Sequence, residues 1–410
     1  MQESNQMPKT GVNNKLLKQK NRGLLLKLIA TGACSSRIEL AQKTGLSKMT
    51  VSNIVNEFLE NDMLEELEKA EKMEGKGRNP IQLRISPRAP KLIGVHLHRE
   101  GCNVILCDLK LNIQKSFSFP VTSANAENLM EQILDAIGRM FAETDGERIW
   151  GISIAALGPS DILRGKILKP TNFCGIQDLN LKSEIEQRYH IPVYFDSESN
   201  GAAIVEKYYG NGNDCEDFIY VVLSNGVGSG LVVGGQLYTS SSGMTCEFGH
   251  VSIDWKGRRC NCGSRGCLET YISSTVLEEQ MQRMTGETKN FREFCQEMEQ
   301  ALERKQNKGI EFTEKERQID MVLRDMAEYL SCGIINFSNG LNPQRIIIGH
   351  DGYWIPDQYL RLAEKEANER LLTRKYRKLQ VMKSYFRADG TVFGCAGALL
   401  TAVFDGKLFE

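Results

Sequence analysis

The stretch from Glu247 to Glu269 reads EFGHVSIDWKGRRCNCGSRGCLE. It holds one imidazole and three thiols, two of which are separated by a single residue, among small residues and turn formers. A closed tetrahedral Zn²⁺ site takes four nitrogen and sulfur ligands from such a window. We therefore predict one structural zinc ion per chain, with scattered buried thiols as the alternative interpretation. The predicted ligands are His250, Cys260, Cys262 and Cys267.

Carboxylates stand at both ends of this stretch, Glu247 before the first predicted ligand and Glu269 after the last. A loop that is pinned by a metal can hold such carboxylates in fixed positions. Carboxylate oxygens accept hydrogen bonds from hydroxyl groups. The stretch therefore indicates a binding site for a ligand that carries several hydroxyls.

The same residues resemble a known family. Glu-x-Gly-His followed by Cys-x-Cys-Gly-x-x-Gly-Cys-Leu-Glu is similar to the signature of the ROK family, which comprises repressors, open reading frames and sugar kinases. The resemblance covers residues 91–410 and implies an α/β chain with a two-lobed actin-like ATPase fold.

A sugar site between the lobes is also implied by the resemblance. Residues 169–172, Lys-Pro-Thr-Asn, are similar to the loop whose asparagine binds sugar hydroxyls, and Glu198 stands where the kinases carry a catalytic aspartate. His250 would bind zinc through one ring nitrogen and a hydroxyl through the other, so the metal would fix its tautomer. The implied sugar-binding residues are Asn172, Glu198, Glu247, His250 and Glu269.

The first phosphate loop departs from the family pattern. Where the kinases have Gly-x-Asp-x-Gly-Gly-Thr, residues 94–100 read Gly-Val-His-Leu-His-Arg-Glu. His96 replaces the acid that would manage Mg²⁺, and His98 and Arg99 replace the glycines that let backbone amides approach phosphate. We predict that this loop does not hold ATP.

Two further segments give little support for nucleotide binding. Residues 224–230 keep the glycines of the second phosphate loop, but a tight hairpin needs them equally. The diglycine of the adenosine site has become Gly349-His350.

The side chain of Glu198 is longer than that of the catalytic aspartate and displaces its carboxylate by one methylene, which proximity-dependent catalysis tolerates badly. We therefore predict no kinase activity and assign no catalytic residue.

Length, composition and charge limit the classes of protein to which this chain can belong. With 410 residues and 41% hydrophobic content, the chain should fold as two or three compact units. The net charge is only −1, yet residues 1–60 carry nine Lys/Arg against four Asp/Glu, which predicts a basic N-terminal module. No apolar run approaches the ~20 residues that cross a bilayer. Twelve cysteines without a compact framework fit a reducing compartment, so we expect a cytoplasmic protein without membrane partners.

The basic module reads as three helices. An apolar stripe at 22–30 should form the first helix, and Ser36 with Glu39 resembles a capping box that opens the second. Residues 44–47, Thr-Gly-Leu-Ser, supply a helix-ending glycine and a new N-cap, which is typical of a helix–turn–helix. Apolar residues at helical spacing from 51 to 58 predict the buried side of the third helix.

The third helix should present short polar groups to a DNA major groove, although a three-helix protein-binding module is the alternative. Strand-like residues 81–85 and the Gly- and Lys/Arg-containing tip at 75–80 indicate a wing that contacts phosphates or the minor groove. Two prolines at 86–90 predict a stiff linker. The predicted DNA contacts are Ser47, Lys48, Met49, Thr50, Ser52, Asn53, Lys76 and Arg78.

The expected architecture is thus a winged helix–turn–helix (residues 1–86), a first α/β lobe (87–200, with a C-terminal helix at 385–410) and a second α/β lobe (201–384). The second lobe should contain the zinc loop and a charged helical cap within 278–328. The winged helix matches the repressor branch of the ROK resemblance, the xylose and N-acetylglucosamine repressor type.

These features predict a sugar-responsive transcriptional repressor that binds palindromic operator DNA and is released by a sugar inducer. Two-fold DNA symmetry calls for a homo-oligomer, a dimer or a dimer of dimers. One alternative is a ROK-type sugar kinase with an appended DNA-binding module. Another is a constitutive DNA-binding protein whose sugar site is vestigial.

Overall fold

A computed structural model describes residues 13–67, 81–122, 125–144, 146–170 and 173–409. Within these ranges the chain forms an N-terminal group of three helices with a short hairpin, followed by two five-stranded sheets with helices packed on them. No helix of the described residues is both long enough and apolar enough to cross a membrane.

The N-terminal group has the predicted order of elements. These are α1 (Asn14–Ala30), α2 (Arg37–Thr44), α3 (Lys48–Glu60), β1 (Leu64–Glu66) and β2 (Leu83–Ile85), with the two strands paired antiparallel. Helix α1 begins well before the apolar stripe because Asn13 caps it, with Oδ1 accepting from the Leu16 amide at 2.8 Å, and its polar first turns are largely exposed. The predicted apolar side of α3 is buried, as the exposures of 3% or less at Val51, Ile54, Val55 and Phe58 confirm.

Side-chain caps set the ends of α2 and α3. Ser36 Oγ accepts from the Glu39 amide at 3.3 Å, as predicted, but the Glu39 carboxylate accepts from the Ser35 amide, one residue earlier than a capping box requires. Gly45 ends α2 at a φ of 71°, a left-handed conformation that favours glycine, and Ser47 caps α3. The turn between the two helices is therefore fixed by local chemistry.

The first lobe contains β3 (Lys91–His98), β4 (Gly101–Cys107), β5 (Ile113–Pro120), α4 (Ala126–Ala142), β6 (Ile149–Ala156), α5 (Leu181–Tyr189) and β9 (Val193–Ser197). A small hairpin of β7 (Ser160–Asp161) and β8 (Lys166–Ile167) follows β6. The sheet of this lobe has the order β5-β4-β3-β6-β9, in which β3, β4 and β5 pair antiparallel and β3, β6 and β9 pair parallel.

Strand β3 sends alternate side chains to opposite faces of this sheet. Val95 packs into the core beneath α4 and α5. Gly94 and His96 face the other way, toward the C-terminal segment, where a Cβ on Gly94 would lie 2.3 Å from Cys395 Sγ. The strand thereby carries His96, only 2% exposed, toward the cleft between the lobes.

The next elements along the chain are α6 (Glu198–Tyr209), β10 (Phe218–Leu223), β11 (Val227–Val233), β12 (Gln236–Leu237), α7 (Glu269–Ile272), α8 (Ser274–Thr285), α9 (Phe291–Lys308), α10 (Glu314–Leu341), β13 (Arg345–His350), α11 (Asp357–Arg370) and β14 (Gln380–Lys383). Their strands form the second sheet, which has the order β12-β11-β10-β13-β14. Helices α8 to α10 cover most of residues 278–328, where a charged helical cap was expected, and they bury an apolar side that includes Phe294 and Leu323. The glycines at 228 and 230 lie in β11, as in the hairpin that we considered for residues 224–230.

The C-terminal segment returns to the first lobe as two short helices, α12 (Gly390–Gly394) and α13 (Gly397–Phe404). Helix α12 approaches α6 so closely that a Cβ on Gly201 would lie 2.3 Å from the Gly394 carbonyl oxygen. The small residues of both helices make this contact possible.

The N-terminal group packs directly on α13. One continuous cluster of buried side chains joins Leu25 and Phe58 of that group to Leu399 and Val403. The two backbones almost touch, since a Cβ on Gly406 would lie 2.1 Å from the carbonyl oxygen of Gln19. The group and the first lobe therefore share one hydrophobic core.

The segment at 86–90 is part of this contact. Ser86 and Ala89 are 4% and 3% exposed, and Arg148 of the first lobe donates to the carbonyl oxygens of Asn61 and Arg88. Pro87 accepts a hydrogen bond from Lys91 Nζ. The segment expected to act as a stiff linker is thus largely held against the protein.

The approach of α6 and α12 makes a testable prediction about stability. Gly201→Ala would place a methyl group against the Gly394 backbone, so we expect it to lower the free energy of unfolding by about 1–3 kcal/mol. The matched control is Gly340→Ala near the end of α10, where a Cβ meets no atom within 4 Å, and where we expect unchanged or higher stability. Thermal unfolding of both variants checks this, and equal melting temperatures would contradict it.

Candidate functional site

The four predicted metal ligands lie together. Their ligand atoms are all within 4.8 Å of one another, with His250 Nδ1 3.6 Å from Cys260 Sγ and Cys262 Sγ 3.6 Å from Cys267 Sγ. A tetrahedron with Zn–S bonds of about 2.3 Å and a Zn–N bond of about 2.1 Å has edges of about 3.5–3.8 Å. The cluster therefore fits a metal ion of this geometry, with Nδ1 as the histidine nitrogen that faces it.

A tight return of the chain builds this cluster. The Ile253 amide donates to the Gly266 carbonyl and the Leu268 amide to the Val251 carbonyl, at 2.9 and 3.0 Å. Gly266 has a φ of 68°, and a Cβ there would lie 1.7 Å from the Asp254 carbonyl oxygen, so no other residue fits. This return brings Cys267 back beside the first two thiols.

The carboxylates that bracket the loop differ in their surroundings. Glu269 Oε1 accepts from Cys260 Sγ at 3.2 Å and lies 3.5 Å from His250 Nδ1, so this carboxylate borders two of the predicted ligand atoms directly. Glu247 is exposed and accepts from Thr245 Oγ1 at 2.7 Å. The loop thus presents one carboxylate beside the cluster and another toward solvent.

Glu198 begins helix α6 on the first-lobe side of the cleft. Ser197 caps that helix, and a carboxylate at a helix N-terminus is stabilised by the unpaired amides there. Glu198 Oε2 lies 3.2 Å from His96 Nε2. Burial opposes ionisation of Glu198, but its hydrogen bond with His96 and the electrostatic influence of the neighbouring histidines hold its pKa below the usual value.

Three of the five histidines face this carboxylate. Burial, and then the neighbouring His96, lower the pKa of His98 to about 4, so His98 is neutral at pH 7. Burial opposes the charged form of His350 as well, but Asp351, 3.3 Å away, raises its pKa. His350 has a φ of 58°, which is a strained conformation for a residue with a side chain. Holding its imidazole at this position therefore costs conformational free energy.

Two turns meet across the cleft. Glu100 Oε1, in the turn between β3 and β4, accepts from Asn225 Nδ2 at 3.1 Å, and Asn225 Oδ1 accepts from Thr275 Oγ1 at 2.8 Å. A Cβ on Gly226 would lie 3.3 Å from Glu269 Oε2 and 3.7 Å from the Arg99 guanidinium. The segments at 94–100 and 224–230 therefore contact each other through side chains.

The predicted sugar-binding residues fall into two groups. His250 and Glu269 contact each other beside the metal cluster, whereas Glu198 contacts His96. Among the residues that the structure describes, no hydrogen bond or ion pair joins Glu198 to the loop at 247–269. Asn172 lies outside the described residues.

The partners of these groups were not predicted from the sequence. His96 and His98 were interpreted only as losses from a phosphate loop, and Asn103, which pairs with His96 in the β3–β4 hairpin, had no predicted role. A tight turn between His98 and Gly101 fixes that register, so this pairing did have a local signal in the sequence. The contact between Glu100 and Asn225 joins distant parts of the chain and carried no sequence signal.

The predicted DNA-contacting face occupies the start of α3. Ser47, Lys48, Met49 and Asn53 are exposed, and Thr50 and Ser52 are partly exposed. Ser47 Oγ accepts from the Thr50 amide and lies 2.9 Å from Thr50 Oγ1, so both hydroxyls have partners. Lys76 and Arg78 of the predicted wing lie outside the described residues.

Asn56 lies further along the same exposed side, and its amide is already held. Arg37 donates from one guanidinium nitrogen to Asn56 Oδ1 at 3.1 Å and from the other to Glu66 Oε1 at 2.6 Å. These bonds tie α2, α3 and β1 together. Asn53 is also exposed, and among the described residues its side chain makes no hydrogen bond.

This chain is similar in sequence to a known family and to named members of it. The model of the ROK family matches residues 92–402. The xylose repressor of Caldicellulosiruptor bescii is 26% identical over 393 residues, which are 95% of this chain and 97% of that protein.

Solved structures show the same fold. The crystal structure of a ROK family transcriptional regulator, a homolog of the Escherichia coli MLC protein, superposes with a TM-score of 0.77 at 23% identity over 96% of this chain and 98% of its own. A ROK family glucokinase from Streptomyces griseus, in complex with glucose and AMPPNP, gives a TM-score of 0.62 at 23% identity over 75% of this chain and 98% of its own. With the family model matched over most of its length, this chain belongs to the ROK family.

Proposed function

We propose that this protein is a sugar-responsive transcriptional repressor that binds palindromic operator DNA and is released by a sugar inducer. The observation that carries the proposal is the exposed start of α3 on an N-terminal group that packs against a ROK fold. The xylose repressor matches this chain along 95% of its length, so the likeness includes the N-terminal group.

We divide the chain as the sequence indicated, into a winged helix–turn–helix (1–86), a first lobe (87–200 with 385–410) and a second lobe (201–384). The order of α1 to α3 and the hairpin of β1 and β2 support the winged helix. Two such modules would bind the two halves of an operator, which calls for a dimer or a dimer of dimers.

A sugar kinase with an added DNA-binding module is the second candidate, because the solved ROK glucokinase shares the fold. The contacts of Glu198 argue against it. A general base works best with a pKa near the operating pH, whereas the hydrogen bond from His96 at 3.2 Å helps to hold the pKa of Glu198 below its usual value. His96 itself is an imidazole where a kinase needs an oxygen ligand for Mg²⁺.

The sugar would bind between the lobes through Asn172, Glu198, Glu247, His250 and Glu269. His250 would use Nδ1 for the metal and Nε2 for a sugar hydroxyl, and we propose that this metal is a structural Zn²⁺. One imidazole and three thiolates are a typical donor set for structural zinc. The ion would supply a fixed orientation of the loop at 247–269.

The metal proposal predicts about one zinc ion per purified chain. Cys262→Ser should lose the metal and, because the loop is no longer pinned, should bind sugar more weakly than wild type. Cys174→Ser, another exposed cysteine but outside the cluster, is the matched control and should keep its zinc. Mass spectrometry of the metal content checks this, and a zinc-free wild type that still responds to sugar would refute it.

We expect that mutations can remove the response to sugar and the affinity for operator independently of each other. Glu247→Ala should bind an operator selected from random DNA as tightly as wild type but no longer respond to sugar. Asn53→Ala should lose about 1–3 kcal/mol of operator affinity and keep its sugar binding, since one bidentate base contact has this magnitude.

Asn56→Ala is the control for the second variant, because Arg37 already holds that amide. It should change operator affinity by no more than about 0.5 kcal/mol. Fluorescence anisotropy at fixed salt measures all three variants. A fully inducible Glu247→Ala protein would show that the sensor site lies elsewhere.

The repressor proposal also predicts no ATP-dependent phosphorylation of D-glucose or D-xylose, because both Mg²⁺ and phosphate contacts are lost at 94–100. A coupled assay for ADP release with each sugar checks this. Steady turnover above the protein-free rate would favour the kinase.

A further inference from the structure

The hairpin of β3 and β4 places one amide between two imidazoles. Its register pairs His96 with Asn103, and Asn103 Nδ2 lies 3.4 Å from His96 Nδ1 and 3.3 Å from His98 Nε2. The two rings stack with their centroids 4.9 Å apart. His96 is 2% exposed, so solvent does not compete for its ring nitrogens.

This arrangement selects one tautomer of His96. The nitrogen of a side-chain amide donates and cannot accept, so both ring nitrogens that face Asn103 must act as acceptors. For neutral His96 the proton then resides on Nε2, which is the nitrogen 3.2 Å from Glu198 Oε2. A directed chain of hydrogen bonds therefore runs from Asn103 through His96 to the carboxylate.

The length of Glu198 completes the chain. An aspartate at position 198 would end one C–C bond, about 1.5 Å, short of its carboxylate position and would leave Nε2 without this partner. The glutamate at 198 and the histidine at 96, both departures from the kinase pattern, thus form one pair. The pair occupies one oxygen of the carboxylate and leaves the remaining acceptor positions for another donor.

We propose that His96 is the positioning residue of the sugar site, which holds the Glu198 carboxylate in place for a sugar hydroxyl, and that Asn103 fixes the tautomer of His96 for this purpose. The inference rests on the proposed function, because it assigns a sugar hydroxyl as the second partner of Glu198. A purely structural role of His96 in the hairpin is the competing explanation.

The tautomer can be measured without any sugar. In protein labelled with ¹⁵N-histidine, the His96 signals are assigned by their loss in His96→Gln. At a pH where the ring is neutral, we expect its proton on Nε2, and we expect Asn103→Leu to add the Nδ1–H tautomer. A neutral wild-type ring with its proton on Nδ1 would overturn the proposal.

Sugar binding then separates positioning from structure. His96→Leu removes the donor, whereas the amide of His96→Gln can still donate to Glu198 and serves as the matched rescue. With D-xylose and D-glucose as probes in calorimetry, we expect His96→Leu to bind the sugar that wild type prefers at least about 10-fold more weakly. We expect His96→Gln to bind it within about 3-fold of wild type and Asn103→Leu to lie between the two.

Operator affinity without sugar and the melting temperature show whether each variant is folded. Equal sugar affinity of wild type and folded His96→Leu would overturn the proposal, as would equal losses in the Leu and Gln variants, which would indicate a structural role. If wild type binds no monosaccharide at all, the proposed function fails instead. The tautomer measurement still decides the state of His96 in that case.

Discussion

The backbone contact between α1 and the end of α13 is the constraint on which the arrangement of this molecule depends. Gly23 and Gly406 permit it, since a Cβ on Gly23 would lie 2.4 Å from the Phe404 carbonyl oxygen and one on Gly406 would lie 2.1 Å from that of Gln19. Around it, side chains of the N-terminal group and of the first lobe form one buried cluster. A protein interior packed in this way resists small displacements, so the two parts move together.

This contact limits the ways in which sugar binding could change DNA binding. A DNA-binding module that swings on a free linker at 86–90 is at odds with the burial of Ser86 and Ala89. Movement of the second lobe against the rest of the chain is the more economical mechanism, because the turns that meet across the cleft do so through the polar contact of Glu100 with Asn225. Strand β6 runs from Trp150, which packs on Phe409 beside the end of α3, to the strand end that pairs with His96, so the cleft and the DNA-binding module share one rigid element.

Sequence patterns predicted most of the fold for physical reasons that are local. The caps at Ser36 and Ser47 and the apolar side of α3 depend on neighbours within one or two turns, and the spacing of the three thiols depends on a single loop. The contacts of the cleft could not be predicted in the same way. The bonds of Glu198 to His96 and of Glu100 to Asn225 span about a hundred residues or more of sequence, and only the packed sheets bring these side chains together. Packing of the N-terminal group on α13 was not predicted for the same reason, because no sequence pattern near Gly406 indicates that Gln19 is its neighbour.

The central claim, that sugar and operator are bound by one coupled molecule, is tested most directly by reciprocal titration. The affinity of a sugar that raises the melting temperature is measured for the free protein and for the protein saturated with operator, and operator affinity is measured with and without that sugar. Linkage requires both ratios to be equal, and a functional repressor should show a factor of about 5–150. Equal sugar affinity of the free protein and the operator complex would contradict the account.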